Sequence, residues 1–155
     1  MKYKKKGVFI TFEGCEGCGK TTQISMLSER LQKVDKEILV TREPGGTVVG
    51  EMIRHILLGS HDISAMCPES ELLLFAASRA QLVREVIIPQ LEAGKFILCD
   101  RFLDSTTVYQ GVARQLAEGP VRIINEFAVG DLMPDLTIVL DIPAEESQLR
   151  VQRRM

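Results

Sequence analysis

Short apolar runs alternate with longer amphipathic stretches along the chain. The run from Gly7 to Glu13 is typical of a buried strand, and in residues 22–33 the apolar side chains of Ile24, Leu27 and Leu31 recur at helical spacing. Several further runs repeat this alternation of strand and helix patterns. Because that order is typical of a parallel sheet covered by helices on both faces, the pattern predicts a three-layer α/β fold.

The predicted elements follow from where each pattern begins and ends. The predicted strands cover residues 8–13, 37–41, 96–99 and 136–141. The predicted helices cover residues 19–33, 48–58, 68–92, 104–117, 120–129 and 144 to the end. The pair Gly94-Lys95 ends the longest helix, and Met133-Pro134-Asp135 precedes the fourth strand.

Length and composition indicate one folded domain. A chain of 155 residues suits a single core, which we expect over residues 7–149 after a basic tail at residues 1–6. The sequence is 45% hydrophobic and 26% charged, so it does not have the composition of a disordered protein, and no apolar run approaches the ~20 residues of a membrane span. The net charge of −2 does not favour nucleic acid as a partner. We expect a cytoplasmic protein.

The segment between the first predicted strand and helix has the pattern of a phosphate-binding loop, with the sequence GCEGCGKT. Its glycines allow backbone N–H groups to converge on phosphate oxygens, and the helix that follows adds the positive end of its dipole. Lys20 supplies a positive charge at the β- and γ-phosphates, and the Thr21 hydroxyl can bind Mg²⁺. The residues predicted to bind ATP are Gly14, Cys15, Glu16, Gly17, Cys18, Gly19, Lys20, Thr21 and Thr22.

The same loop contains a Cys-x-x-Cys spacing, from Cys15 to Cys18. That spacing also occurs in redox and zinc sites. The phosphate loop already accounts for it, because small side chains suffice at both positions. We therefore expect reduced thiols in a reducing compartment.

Charged residues and glycines follow the other predicted strands. In an open parallel sheet, ligands bind beyond the carboxyl ends of the strands. Residues 42–46 follow the second strand, Asp100 and Arg101 the third, and Asp141 the fourth. Asp100 is the favoured Mg²⁺ ligand over Asp141, because Arg101 beside it can bridge to a transferring phosphate.

Three segments of the chain resemble the thymidylate kinases, which phosphorylate dTMP. They are TREPGGT at residues 41–47, LFAASR at residues 74–79 and LCDRFLDSTTVYQ at residues 98–110. The resemblance covers nearly the whole chain from Val8 onward. It implies a P-loop kinase fold, ATP and dTMP as substrates, Mg²⁺ as cofactor and a homodimer.

Phe75 and Arg79 are four residues apart, so one helix face carries both. An aromatic ring can stack on a base, and an arginine can donate to a base carbonyl. The resemblance implies that Phe75 stacks on thymine and that Arg79 meets its polar edge. A core phenylalanine beside a surface arginine is the alternative, and spacing alone favours it.

The resemblance implies further contacts to dTMP. Arg54 and Arg101 would clamp its phosphate, Thr106 and Gln110 would meet the thymine edge, and Glu43 is a weaker candidate. A solvated helix face is the alternative for Thr106 and Gln110, and an exposed turn acid is the alternative for Glu43. The residues predicted to bind dTMP are Glu43, Arg54, Phe75, Arg79, Arg101, Ser105, Thr106 and Gln110.

The predicted catalytic residues are Lys20, Arg101, Glu16 and Arg153. The resemblance implies that the Glu16 carboxylate meets the sugar hydroxyl and helps to position the nucleotide. Some relatives carry a basic residue in the loop where this chain has Gly17, so the resemblance points to a lid arginine instead.

That lid would start at residues 150–155, where Arg150, Arg153 and Arg154 form a basic stripe. A solvated helix end, with Glu146 pairing Arg150, is the alternative. Thymidylate kinases continue through the rest of the lid, further helices and a last strand, which the sequence up to Met155 lacks. Activity of this form therefore stays open at this point.

Two other functions remain open. Another nucleoside monophosphate kinase would share the phosphate loop but not the Phe75–Arg79 and Ser105–Gln110 residues. A nucleotide-binding module would bind dTMP or ATP without transferring phosphate. A GTPase is disfavoured, because the sequence contains no Asn-Lys-x-Asp motif for reading guanine.

Overall fold

The computed structural model describes residues 6–59, 66–103 and 116–153. Four parallel strands form one sheet in the order β2-β3-β1-β4. The strands are β1 (Val8–Glu13), β2 (Ile38–Arg42), β3 (Phe96–Asp100) and β4 (Leu136–Val139). The predicted strands are confirmed, with ends that differ by at most two residues.

Six helices and one π-helical turn accompany the sheet among the described residues. They are α1 (Lys20–Gln32), α2 (Val48–Leu58), α3 (Pro68–Leu82), the π turn (Val83–Ile87), α4 (Ile88–Glu92), α5 (Glu118–Val129) and α6 (Ala144–Gln152). The predicted helix over residues 104–117 falls on a segment outside the described residues, apart from its last two. Ala117 is extended and precedes α5, so the predicted end at residue 117 was wrong.

The longest predicted helix, over residues 68–92, is continuous but not uniform. Its middle widens into the π turn at Val83–Ile87 before α4 begins. Pro89 has no backbone N–H, and its ring crowds the carbonyl one turn earlier. A locally wider turn relieves that crowding, so the helix passes the proline without ending.

The core lies on both faces of the sheet, as the three-layer prediction requires. Strand β1 is almost wholly buried, because its alternate side chains point into different layers. Phe9 packs with Leu82, Ile87 and other residues of the α3–α4 side. Ile10 and Phe12 pack against Ile24 of α1 on the other face. Within the described residues, no helix combines the length and apolarity that crossing a bilayer requires.

Candidate active site

The phosphate loop joins β1 to α1 as predicted. Gly14, Gly17 and Gly19 have φ angles of 137°, 75° and 99°, in the region that side chains disfavour. A Cβ on Gly14 would collide with the Leu140 carbonyl oxygen, so close approach to the chain after β4 also requires glycine. The GCEGCGKT pattern therefore specifies this backbone path.

Lys20 lies inside the curve of the loop. Its side chain is buried, with 7% of the residue exposed. Its Nζ donates to the carbonyl oxygens of Gly14, at 3.0 Å, and Cys15, at 2.8 Å. The Cys18 sulfur is 3.6 Å from the same nitrogen. The ammonium group is thus held against the backbone of the loop.

Helix α6 supports the outer side of the loop, which sequence reasoning missed. The Ser147 hydroxyl donates to the Glu16 carbonyl at 2.6 Å, and Arg150 Nη1 donates to the Gly17 carbonyl at 3.4 Å. These contacts join residues more than 130 positions apart, so no local pattern could have shown them. The side chain of Glu16 is exposed.

Of the basic stripe predicted at residues 150–154, Arg150 and Arg153 lie on or at the end of α6. Arg150 Nε donates to Glu146 at 2.8 Å, so the pairing considered as the alternative is present. Arg150 also reaches the loop, which that alternative did not include. Arg153 is exposed at the C-cap of α6, and Arg154 lies outside the described residues. The catalytic role of Arg153 stays a prediction.

The two predicted metal ligands lie next to each other. Thr21 opens α1, Asp100 ends β3, and the Thr21 hydroxyl is 3.5 Å from Asp100 Oδ2. Asp100 Oδ1 is buried and has no hydrogen-bond partner among the described residues. Asp141, the rival candidate, is exposed.

Arg101 follows Asp100 in an unusual backbone conformation. Its φ angle is 71°, which for a residue with a side chain costs about 1–3 kcal/mol. Its N–H donates to the Phe12 carbonyl at 2.9 Å, which keeps the chain in register with β1 for one more residue. Local strain of this kind is concentrated at functional sites, so it fits the predicted role of Arg101.

Glu43 and Arg79 form a buried ion pair. They are 5% and 1% exposed, and Arg79 Nε and Nη2 both lie 2.7 Å from Glu43 Oε2. Phe75 is half-buried one turn earlier on α3. The alternatives of an exposed turn acid for Glu43 and a surface arginine for Arg79 were therefore wrong. Contact of Phe75 and Arg79 with the base, and of Glu43 with dTMP, stays a prediction.

Two further hydrogen bonds join Arg79 to other parts of the chain. Nη1 donates to Asn125 Oδ1 at 2.9 Å, and Nη2 donates to the Phe102 carbonyl at 3.3 Å. The Phe102 N–H in turn donates to Glu13 Oε1 at 2.7 Å, at the end of β1. Asn125 and Glu13 were not among the predicted site residues, because their partners are distant in sequence.

Burial raises the pKa of the Glu43 carboxyl, and Arg79 opposes that rise. Glu43 Oε1 is also buried with no hydrogen-bond partner among the described residues. The acid is therefore held in the interior mainly by Arg79. Removing that arginine would leave it uncompensated.

The loop after β2 connects this pair to α2 and α3. The Gly45 N–H donates to the Ser78 hydroxyl at 3.0 Å, next to Arg79 on α3. Arg54, half-buried on α2, donates from Nη1 to the Pro44 carbonyl at 2.8 Å. Arg54 thus lies against the same loop that carries Glu43.

Three of the predicted dTMP-binding residues belong to a segment that the structure does not describe. Ser105, Thr106 and Gln110 lie outside the described residues, so their contacts to dTMP stay predictions.

Cys15, Cys18, Cys67 and Cys99 are all free thiols. In the three described ranges, no group of three or more His, Cys, Asp or Glu side chains could hold a metal ion.

Comparison with known proteins places this geometry in a family. The family profile described as thymidylate kinase matches residues 12–155. A thymidylate kinase from Thermoanaerobacter sp. (strain X514) is 53% identical over 149 residues, which are 96% of this chain and 72% of that protein. A thymidylate kinase from Geobacter sulfurreducens is 51% identical over 96% of this chain and 70% of its own length.

A solved structure gives the same result for the fold. The crystal structure of thymidylate kinase from Ehrlichia chaffeensis superposes with a TM-score of 0.80 at 37% sequence identity. The match covers 95% of this chain and 83% of that one. Sequence and backbone are therefore similar to the same group of enzymes.

Proposed function

The chain belongs to the thymidylate kinase family, and we propose that the site described above transfers the γ-phosphoryl group of ATP to dTMP. A phosphate oxygen of dTMP attacks the γ-phosphorus, and the bond from that phosphorus to the bridging oxygen breaks, giving dTDP and ADP. The observation that carries the proposal is the position of Lys20 inside the phosphate loop, on the same sheet edge as Asp100 and Arg101.

On the donor side, the loop N–H groups and Lys20 bind the β- and γ-phosphates. Phosphoryl transfer needs little covalent chemistry from the protein, so charge and alignment provide most of the rate. Arg101 neutralises charge on the migrating group. Glu16 positions the nucleotide sugar, and Arg153 is the proposed lid arginine.

On the acceptor side, Arg54 and Arg101 hold the dTMP phosphate in line with the γ-phosphate. Phe75 stacks on the thymine ring, and Arg79 donates to its polar edge. Because Phe75 and Arg79 are four apart on α3, a base stacked on the ring would extend toward the guanidinium. Ser105, Thr106 and Gln110 complete the proposed set.

Thr21 and Asp100 are the proposed ligands of Mg²⁺. The residues fit such an ion, because a hydroxyl and a carboxylate lie 3.5 Å apart and one buried carboxylate oxygen has no partner among the described residues. When bound, Mg²⁺ neutralises phosphate charge.

A substrate panel tests the proposed function. With ATP as donor, dTMP should be phosphorylated faster than dUMP, dCMP or GMP. The smallest difference in rate is expected between dTMP and dUMP, since one methyl group in a pocket is worth only about 1–3 kcal/mol. A preference for dCMP or GMP would favour another monophosphate kinase. Binding of dTMP without turnover would favour a non-catalytic module.

Replacing Phe75 with alanine should weaken dTMP binding by about 1–3 kcal/mol, because the stacking surface is lost. Titration calorimetry with dTMP measures the change directly, and the affinity for ATP should stay the same. Phe127→Ala is the matched control, since that ring is 83% exposed on α5. Equal dTMP affinities of wild type and Phe75→Ala would contradict stacking.

We also propose that the protein forms a homodimer through α2. Val48, Met52 and Ile56 follow one another at four-residue steps on this helix and are 72%, 65% and 46% exposed. An apolar stripe of this kind is typical of an interface, and one helix can pack against its own copy about a two-fold axis.

Placing a charge in that stripe should separate the proposed dimer. Met52→Glu should elute with the mass of a monomer in size-exclusion chromatography with light scattering, because two carboxylates would face each other in an apolar contact. Val34→Glu, at an exposed position after α1, should leave the mass unchanged. A dimeric Met52→Glu protein would exclude α2 as the interface.

The proposed location of the reaction is the cytoplasm. All four cysteines are free thiols, which is typical of a reducing compartment.

A further inference from the structure

Asn125 is a buried polar residue that none of the sequence motifs includes. It lies on α5 and is 6% exposed, and its neighbours Val121, Ala128 and Val129 on the same helix are buried apolar residues. Asparagine is a poor helix former, and burying its amide is costly without partners. Neither helix formation nor core packing explains an asparagine at this position.

Its partner is the guanidinium of Arg79. Asn125 Oδ1 accepts from Arg79 Nη1 at 2.9 Å, while Glu43 binds Nε and Nη2 and the Phe102 carbonyl binds Nη2. The guanidinium carbon also lies 5.6 Å from the centre of the Phe102 ring. Acceptors from three different elements therefore surround one planar group.

Glu43 and Asn125 contribute differently to holding the guanidinium. Glu43 supplies the opposite charge, at the Nε and Nη2 side of the fork. Nη1 points the other way, and Asn125 holds it there without adding charge. Because the guanidinium is planar with fixed donor directions, holding both sides fixes the plane as well as the position.

We propose that Asn125 is a positioning residue for dTMP recognition, which acts by fixing the plane of the Arg79 guanidinium. This inference rests on the proposed function, in which Arg79 donates to the thymine edge. The Arg79 donors must meet a flat base edge within hydrogen-bond distance and angle, so a guanidinium that can tilt binds the base less well. The donor nucleotide is proposed to bind at the phosphate loop, so its affinity should not depend on this contact.

The test compares Asn125→Leu with Asn125→Asp. Leucine has a similar size but no acceptor, whereas aspartate keeps an oxygen at the same position. For Asn125→Leu, KM for dTMP should rise about tenfold, the effect expected from loss of a hydrogen bond to a charged group, while KM for ATP stays the same. Asn125→Asp keeps an acceptor, so its KM for dTMP should stay closer to wild type than that of Asn125→Leu, with KM for ATP unchanged.

Two controls separate positioning from a general loss of structure. Glu126→Leu changes the next residue of α5, which is exposed, and should leave both KM values unchanged. Thermal unfolding shows whether each variant is folded. If Asn125→Leu does not fold, Asn125→Ser, which shortens the side chain and withdraws the acceptor, is measured in the same way.

The outcomes distinguish this inference from the proposed function. If wild type phosphorylates dTMP and folded Asn125→Leu has an unchanged KM for dTMP, or both KM values rise together, the positioning role is wrong. If wild type shows no turnover, dTMP binding is measured by calorimetry. Weaker dTMP binding by Asn125→Leu than by wild type would then support the positioning role, even though the proposed transfer is absent. Equal binding by the two proteins, or no dTMP binding by wild type, would overturn the positioning role.

Discussion

Lys20→Ala is expected to lower kcat for dTMP phosphorylation by on the order of a hundredfold or more. The reason is the position of the ammonium group, which lies 3.0 Å and 2.8 Å from two carbonyl oxygens inside the loop. A charge held there needs little reorganisation to meet the β- and γ-phosphates, and no neighbouring loop residue supplies another. Without the Lys20 ammonium group, the negative charge on the phosphates is less well neutralised during transfer.

The same structure indicates how to separate charge from packing. Because Lys20 is buried, alanine also removes the apolar stem of the side chain. Lys20→Met keeps most of that stem and should lose about as much kcat as Lys20→Ala. Lys33→Ala, at the exposed end of α1, should retain wild-type kcat. If kcat of folded Lys20→Met stays within about tenfold of wild type, the charge is not the catalytic feature.

The backbone and side chains of the proposed ATP-binding half of the site could be predicted from the sequence, because their determinants are local. The glycines with positive φ, the lysine and the threonine all lie within the eight residues of the phosphate loop, and one motif specifies all of them. The strands were equally clear, since each is short and largely apolar, and three of the four are followed at once by a charged residue or glycine. Asp100 could be matched with Thr21 because each lies at or just after the carboxyl end of a predicted parallel strand, and Arg101 beside Asp100 favoured it over Asp141.

The proposed dTMP-binding half depends on contacts that no local pattern encodes. Glu43 and Arg79 are 36 residues apart, and Arg79 and Asn125 are 46 apart. Helical spacing showed that Phe75 and Arg79 share a face, but it could not show that the arginine would be buried against an acid from another loop. The contact of Ser147 with the phosphate loop was missed for the same reason. The family resemblance supplied the motifs but not these pairings.

Arg79→Ala is expected to lower the free energy of unfolding by about 3–5 kcal/mol. The wild-type pair lies almost wholly in the interior, and Glu43 already has one oxygen without a partner among the described residues. Without the arginine, a buried carboxylate remains with no opposite charge beside it. Chemical unfolding at pH 7 measures the loss. Arg122→Ala, which breaks a pair whose side chains are 70% and 61% exposed, should cost less than about 1 kcal/mol.

The pH dependence identifies the uncompensated acid as the cause. Burial raises the pKa of Glu43 in the folded state, and removing Arg79 takes away the main group that lowers it. An acid whose folded pKa lies above its unfolded value binds more protons when folded, so stability falls as the pH rises through the folded pKa. The difference in stability between wild type and Arg79→Ala should therefore be smaller at pH 5 than at pH 8. A difference that is independent of pH would mean that lost packing, and not charge, destabilises the variant.

Replacing both partners gives a third measurement of the same pair. In Glu43→Leu/Arg79→Met the interior loses both charges, so the double variant should be more stable than Arg79→Ala alone even though it carries one more substitution. Part of the loss should remain, because Asn125 and the Phe102 carbonyl would still lack their shared donor. If the double variant were less stable than Arg79→Ala, Glu43 would stabilise the fold even without its partner. The uncompensated Glu43 charge would then not be the cause of the loss in Arg79→Ala.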